Sequence, residues 1–420
     1  MNSIRSVAAL LACVCAAPAA LGEEWTEFRG PTAQGHSSAK GLPLEWGPDK
    51  NVVWKTPVPG LGWSSPVCVQ GRIYLTTAVP EGGKEKADAN RSLRALALDA
   101  KDGRLLWNVE VFPQNAKEAP KIHGKNSHAS PTPVWEAGKL YVHFGHQGTA
   151  CLDADTGSVL WSTREFAYEP VHGNGGSPIL VGDLLVYNAD ARAKPAVLAL
   201  DKNTGKLRWR YERVSDAGRK FSFGTPLLIE VNGQKQIVSP GSNLVCGLDP
   251  KDGAEIWRVR YQGYSLVPRP VFAHGMLFMA TGYDAPEALA IKVDGKGDVT
   301  DTHIVWRLAK GAPHNPSMVV VGPHLYMVAD SGLLSCVDAK KGEVLYKERA
   351  TGAISSSLLH AEGRVYLQDE SGKATVVKAG ATFEVLGRSD LGEKTLASYA
   401  VLGSDLLIRT DKHLWRVGTR

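Results

Sequence analysis

The stretch Ala97-Leu98-Asp99-Ala100-Lys101-Asp102-Gly103-Arg104-Leu105-Leu106-Trp107 returns along the chain as a fixed Asp, Gly, aromatic frame. Its copies are Asp153–Gly157–Trp161, Asp201–Gly205–Trp209, Asp249–Gly253–Trp257 and Asp338–Gly342–Tyr346, with the same spacing each time. Around each frame, short apolar runs meet Gly-centred turns. A unit of about 40–50 residues that repeats in this way is the signature of a propeller or solenoid.

One copy shows how the unit folds. Leu140-Tyr141-Val142-His143-Phe144 alternates as a half-buried strand, and Gly145 to Gly148 turns. Thr149-Ala150-Cys151-Leu152 follows as a third strand, then a loop from Asp153 to Gly157 delivers a fourth, Val159 to Ser162. The Asp carboxylate caps that loop, the Gly supplies a positive φ, and the indole is large enough to seal the contact between neighbouring sheets. A four-stranded meander cannot bury both faces alone, so the copies must pack side by side, and strands without helices make that an all-β propeller.

First-strand openings fall at Ser65-Pro66, Ser130-Pro131, Ser177-Pro178, Thr225-Pro226, Arg269-Pro270, Pro316-Ser317, Ser356-Ser357 and Ser398-Tyr399. They predict an eight-bladed β-propeller of four-stranded antiparallel blades over residues 51–420. The last copy ends one strand short, and Asn51 to Lys55, with Trp54 at the repeat's Trp position, is the strand expected to complete it and close the ring. A seven-bladed ring is the alternative, because the copy from Ser355 to Gly392 lacks the frame. Residues 23–50 form a Gly/Pro-rich lead-in expected to pack on the ring, and Pro80 to Asn90 is a charged insertion expected as a surface loop.

Residues 1–22 carry one charge, Arg5, then an apolar stretch from Val7 to Ala17 and small residues before Glu23. This is the pattern of a cleaved signal peptide, so a periplasmic or secreted protein is expected. The alternative is a lipobox at Leu10 to Cys13, with a lipid anchor on Cys13 and a membrane-attached lipoprotein. No later stretch approaches the ~20 apolar residues of a transmembrane helix. The net charge of +5, or +4 once Arg5 is removed, comes from basic residues scattered among acidic ones, which argues against nucleic acid as a partner. Cys68, Cys151, Cys246 and Cys336 lie in apolar strands of different repeats without Cys-x-x-Cys spacing and are expected as buried free thiols.

The Ala97–Trp107 run and its copies resemble the tryptophan-docking repeat of the pyrroloquinoline quinone (PQQ) propellers. The lead-in, Trp25-x-x-Phe28-Arg29-Gly30-Pro31 and then Asn51-Val52-Val53-Trp54, resembles the opening of PQQ-like repeat proteins. That superfamily includes quinone-dependent alcohol dehydrogenases and the outer-membrane-assembly lipoproteins. The resemblance implies the fold over nearly all of residues 25–420, and it leaves function open, since one architecture hosts catalysts and scaffolds. The quinone enzymes carry adjacent cysteines in a disulfide, a calcium held by Glu and Asn, and a catalytic Asp. After residue 22 this sequence has no adjacent Cys pair and no segment matching those motifs. No cofactor is therefore expected, with PQQ and calcium as the enzyme alternative.

In such a blade the loop entering the first strand and the turn between the second and third open on one face. Sorted by that rule, the entry loops hold Trp63, Lys125, Asn126, His128, His172, Asn174, Tyr264, Arg269, His314 and Asn315, and the turns add His146 and Asp284. Folding does not ask for a different cation or amide in each blade. These residues are the expected binding site for a protein, peptide or small ligand at the channel mouth. Asp330 and Asp369 sit in ordinary hairpin-turn sequences, and the Ser/Thr openings are expected to satisfy backbone groups at the pore. The histidines come from several blades without a regular ligand spacing, so no metal is expected, and no Gly-x-Ser-x-Gly nucleophile or phosphate loop is present. A non-catalytic binding module is the leading expectation. A quinone- or metal-dependent oxidoreductase and an outer-membrane assembly factor are the alternatives.

Overall fold

A computed structural model describes residues 23–83, 86, 89–284 and 286–419, so the leader and Cys13 lie outside the described residues. The strands form eight sheets in a ring. Blade 1 runs Val67–Val69, Arg72–Pro80, Arg91–Asp99 and Leu105–Gln114, and each later blade repeats that antiparallel order outward from the channel. The copy from Ser355 to Gly392 is a complete blade 7, Leu359–Ala361, Arg364–Gln368, Lys373–Lys378 and Val385–Asp390, which settles the count at eight. Blade 8 consists of Ala400–Leu402, Asp405–Arg409 and His413–Val417, and Val52–Pro57 supplies its outer strand with Lys55 opposite Trp415. The ring is thus closed by chain segments more than 350 residues apart. In blade 1 the second and third strands pair as far as Pro80 with Arg91, and the charged insertion connects them beyond that point.

The frame works by joining adjacent blades. Asp153 Oδ1 accepts the N–H groups of Asp155 and Thr156, and Asp338 Oδ1 those of Lys340 and Lys341, which holds each loop. The following Gly has φ near +75°, and its missing side chain leaves room for the indole of the preceding blade. A Cβ on Gly253 would stand 2.6 Å from the Trp209 ring. The indole N–H then donates to the carbonyl just after the next blade's Asp: Trp54 to Ala100, Trp107 to Ala154, Trp161 to Lys202, Trp209 to Pro250 and Trp306 to Ala339. Trp54 therefore closes the ring by the same contact that joins the other blades.

Blade 5 (Val271–Ala273, Met276–Ala280, Ala288–Lys292 and Ile304–Leu308) has no frame, and two things change. Trp257 of blade 4 has no loop to dock on and donates instead to Gln236 Oε1 within its own blade. The connection to blade 5's outer strand also lengthens, so that Gly297–Asp298 pairs with the outer edge of blade 4 and a single helical turn, Thr300–His303, follows.

The lead-in packs on the face of the ring opposite the mouth. Trp25 pairs with Cys68 of blade 1, Thr26 accepts the Trp135 N–H of blade 2, Gln34 accepts the Phe272 N–H of blade 5, and His36–Ser37 pairs with His360–Ala361 of blade 7. Trp25, Leu42 and Trp46 join the core shared by blades 7, 8 and 1. Burial of side chains this large contributes on the order of 2–3 kcal/mol each and makes the segment part of the fold. All four cysteines described are free and buried.

Candidate functional site

Around the channel, successive first strands are tied by one repeated bond, from the N–H of an opening residue to the hydroxyl of the next blade's. Ser65 donates to Thr132, Thr132 to Ser177, and Ser177 to Thr225. Beyond blade 5 the series continues from Arg269 to Ser317, Ser317 to Ser357, Ser357 to Ser398, and Ser398 back to Ser65. Seven hydroxyls thus satisfy backbone N–H groups in the channel wall, the role read for the openings from the sequence, except that in blade 2 the ring residue is Thr132 rather than Ser130.

The eighth position is Arg269. With no hydroxyl to offer, its guanidinium donates from Nε to Pro226 O at 3.0 Å and from Nη1 to Glu27 Oε2 at 2.9 Å and Phe28 O at 2.8 Å. It is 1% exposed. Next to it in the lead-in, Arg29 donates Nη2 to the carbonyls of Met318 and Leu358, in blades 6 and 7. These two arginines pin residues 27–29 beneath the channel, and the Phe28 side chain becomes part of the floor. The mouth stays open above it.

The result is a funnel of about 660 Å³, lined by entry loops of all eight blades. That is within the usual size range for a small-ligand cavity. Six rings form an arc around one side, each within 6.4 Å centroid to centroid of the next: His123, His172, Phe221, Tyr264, Tyr283 and His314. Tyr283 stacks on His314 at 4.6 Å, and the other contacts are tilted or edge-to-face. Ser355, Ser357, Leu396 and Ser398 line the other side. The three Lys and Arg residues among the funnel-lining residues each face a carboxylate: Lys125 reaches Glu370 of blade 7 at 2.7 Å, Arg219 lies 3.8 Å from Asp284, and Arg192 lies 3.7 Å from Glu169. Arg219 also lies over the Tyr264 ring, at 4.7 Å from its centroid.

Of the twelve residues singled out from the sequence, Trp63, Lys125, Asn126, His172, Tyr264 and Asn315 line the funnel. Two of these also hold loops, Asn126 by donating to His172 O and Asn315 by donating to Asp330. Asp284 stands on the rim with its carboxylate at the Tyr264 hydroxyl, 3.1 Å away. His314 reaches the site only through its stack on Tyr283. Arg269 lies below the floor, tied to the lead-in. His128 bonds Gln114, Asn174 accepts the Tyr168 hydroxyl, and His146 lines a neighbouring cleft with Tyr168 and Arg192. Burial pushes His128 and His146 down to about 4 and lowers His172 as well, its neighbour His123 adding to the effect, so all three are neutral at pH 7. Spacing did not reveal Phe28, Phe221, Phe223, Tyr283, Arg192 or Arg219, which come from loops of unequal length. The one available signal was Phe221 and Phe223 just before the Thr225-Pro226 opening.

The turn carboxylates serve the fold. Asp190 pairs with Arg213 at 2.8 Å, Asp330 accepts the His314 N–H, and Asp369 accepts those of Ser371 and Lys373. These residues do not fit a calcium-bound quinone of the dehydrogenase type. None of the described cysteines lies in the funnel lining, and the nearby carboxylates are committed to cations or to loop N–H groups. Among the described residues, no group of three His, Cys, Asp or Glu is placed to hold a metal ion.

These features define an eight-bladed propeller whose central channel is a ligand-sized funnel, open at one end and floored by its own lead-in. A family model described as outer membrane protein assembly factor BamB matches residues 38–122, 91–297 and 295–382, and the chain belongs to that PQQ-like repeat family. It is 24% identical over 343 residues to the assembly factor BamB of Yersinia pestis, covering 73% of this chain and 82% of that protein. It is also 27% identical over 249 residues to the dehydrogenase subunit of the quinone alcohol dehydrogenase of Gluconobacter oxydans, covering 56% of this chain but 28% of the enzyme subunit. Among solved structures, BamB from Moraxella catarrhalis superposes with a TM-score of 0.63 at 12% identity, over 88% of this chain and 97% of that one. A quinohemoprotein alcohol dehydrogenase from Pseudomonas putida reaches 0.62 at 14% identity, over 94% and 80%. At these identities the structural likeness speaks for the fold alone. Among the described residues, no helix is long and apolar enough to cross a membrane.

Proposed function

We propose that the protein is an exported, non-catalytic binding module that takes a partner protein, peptide or small ligand into the funnel. The observation that carries this reading is a preformed cavity with an aromatic arc and charge-compensated rim, whose neighbouring turn carboxylates are occupied in holding loops. Rigid rings supply contact area at low entropic cost, and paired rim charges select by complementarity while contributing little raw affinity.

A random peptide library displayed on phage tests it. Selected peptides should lose at least tenfold in affinity on Tyr264→Ala, and Lys125→Ala should weaken them with little change in melting temperature. The Lys125–Glu370 pair is partly exposed and contributes about 0–1 kcal/mol to stability. Peptides that bind both variants as well as the wild type would place the binding surface elsewhere. Saturable uptake of PQQ with calcium and dye-linked alcohol oxidation would instead support the oxidoreductase reading.

The family match favours a second form of the proposal, in which the partner is a protein handled during outer-membrane assembly. Outer strands such as Leu207–Glu212 have no strand on their outer side among the described residues, leaving an edge for strand addition. Mass spectrometry of the mature N-terminus separates its versions: Glu23 supports the soluble form, and diacylated Cys13 the anchored one.

A further inference from the structure

The seven hydroxyls of the channel ring are bound on one side only. Each accepts an N–H from the preceding blade, and among the described residues none of them finds an acceptor for its own O–H. The residues carrying them are all at most 8% exposed, and all seven line the funnel. A buried hydroxyl whose proton has no acceptor loses a hydrogen bond that water would have given it. Seven in one wall make the lower funnel a surface of donors.

The charge beneath that wall has the matching sign. Arg29 and Arg269 lie under the floor, and the neighbouring carboxylate, Glu27, is taken by Arg269. Arg29 is 2% exposed, spends only Nη2 on carbonyls, and leaves Nε and Nη1 buried without a partner. The carbonyls it holds belong to Met318 and Leu358, each the residue directly after a ring hydroxyl, Ser317 or Ser357. Buried charges are ordinarily paired; Arg29 is not among the funnel-lining residues, so its guanidinium acts on the floor as an uncompensated positive charge beneath it rather than as a direct donor.

We infer that the funnel floor is an oxyanion subsite, in which the O–H groups of Ser317 and Ser357, above the buried Arg29 guanidinium, receive a phosphate or carboxylate group. The inference rests on the proposed binding role of the funnel and specifies the chemistry of its deepest part. The ion is either free or the end of a larger ligand, whose body then lies against the aromatic arc. At neutral pH carboxylate offers only acceptors and phosphate carries one or two protons beside its acceptor oxygens, which suits a wall of donors over a net positive charge.

Isothermal titration of the whole protein with inorganic phosphate, and separately with acetate, tests the subsite. One saturable site is expected, with the two ions competing. The double variant Ser317→Ala/Ser357→Ala should weaken phosphate at least tenfold. Ser317→Thr/Ser357→Thr should restore binding, because Thr132 and Thr225 already hold equivalent ring positions. Arg29→Met should weaken binding by removing the charge beneath the floor; if it fails to fold, the Ala and Thr pairs decide alone. Acetate binding without phosphate binding would identify the subsite as one for a ligand's carboxylate, and phosphate binding alone as one for a free or esterified phosphate. The inference is overturned if neither ion binds the wild type saturably, or if the Ala and Thr pairs bind equally. In that case phage-selected peptides that still depend on Tyr264 would leave the binding role standing, and their loss would remove both.

Discussion

Arg269→Ser puts a hydroxyl back at the one blade that lacks it, and so sets two uses of the position against each other. The serine would complete the channel ring by accepting the Thr225 N–H, a net gain of about 1 kcal/mol. Against this, the substitution removes a guanidinium that is 1% exposed and has three acceptors: Pro226 O, Glu27 Oε2 and Phe28 O. Removing one partner of a buried ion pair costs about 3–5 kcal/mol. The Glu27 side chain is 22% exposed and would be partly rehydrated, which places the loss at the low end of that range. The balance is a net destabilisation of about 2–3 kcal/mol.

With an unfolding entropy of about 2.1 cal/mol/K per residue over about 400 residues, the melting temperature should fall by about 2–4 °C. Calorimetry reads this directly. Limited proteolysis reads the cause, since cleavage within residues 23–50 should quicken more than cleavage within the blades. A double-mutant cycle with Glu27→Gln should give a coupling of about 1–3 kcal/mol. A variant that melts at or above the wild-type temperature, with the lead-in equally resistant and the coupling near zero, would refute the account of Arg269 as the anchor of the floor.

Three other outcomes follow from the same structure. Gly253 and Gly275 both have φ above +70°, but a Cβ on Gly253 would meet the Trp209 ring while Gly275 has open space, so Gly253→Ala should cost about 1–3 kcal/mol more than Gly275→Ala in denaturant titration. His36, His128 and His146 are held near 4 and His143 near 3, all primarily by burial, so the unfolded chain binds more protons below about 6.5. Stability should therefore be full above that pH and decline as the pH falls from 6.5 towards 4, with a shallower decline in His36→Leu; a flat profile of melting temperature over that range would contradict the burial of these rings. Deleting Asn51 to Thr56 removes most of blade 8's outer strand together with Trp54, and should replace the single cooperative unfolding transition by a broad one at lower temperature, seen by circular dichroism.

What could be read from the sequence followed from what the repeat imposes. Asp153, Gly157 and Trp161 have their jobs fixed by local geometry, so spacing alone prescribes blade, ring and closure, and it marks Trp54 as a docking indole, whose partner is the Ala100 carbonyl. Blade 5 shows where that reasoning stops. It departs from the pattern twice, lacking both the Asp–Gly frame and the hydroxyl opening, and the sequence marks Arg269 as an exception without showing which way the guanidinium points. Direction is set here by a segment some 240 residues away, Glu27 and Phe28, which no periodicity connects to blade 5. The aromatic arc was hidden for a related reason. Its rings come from entry loops and one turn of different lengths, and they become neighbours only once eight first strands bring those loops around a single axis. Departures from the repeat thus divide into two kinds. Arg269 departs in order to close the channel below, and Lys125, Phe221 and Tyr264 depart where the channel opens. A residue belongs to the second kind when its departure leaves no backbone group to satisfy and no segment to tie down. By that criterion Tyr264, whose hydroxyl meets only the rim side chains Arg219 and Asp284, is the first residue to substitute in testing the proposed binding role.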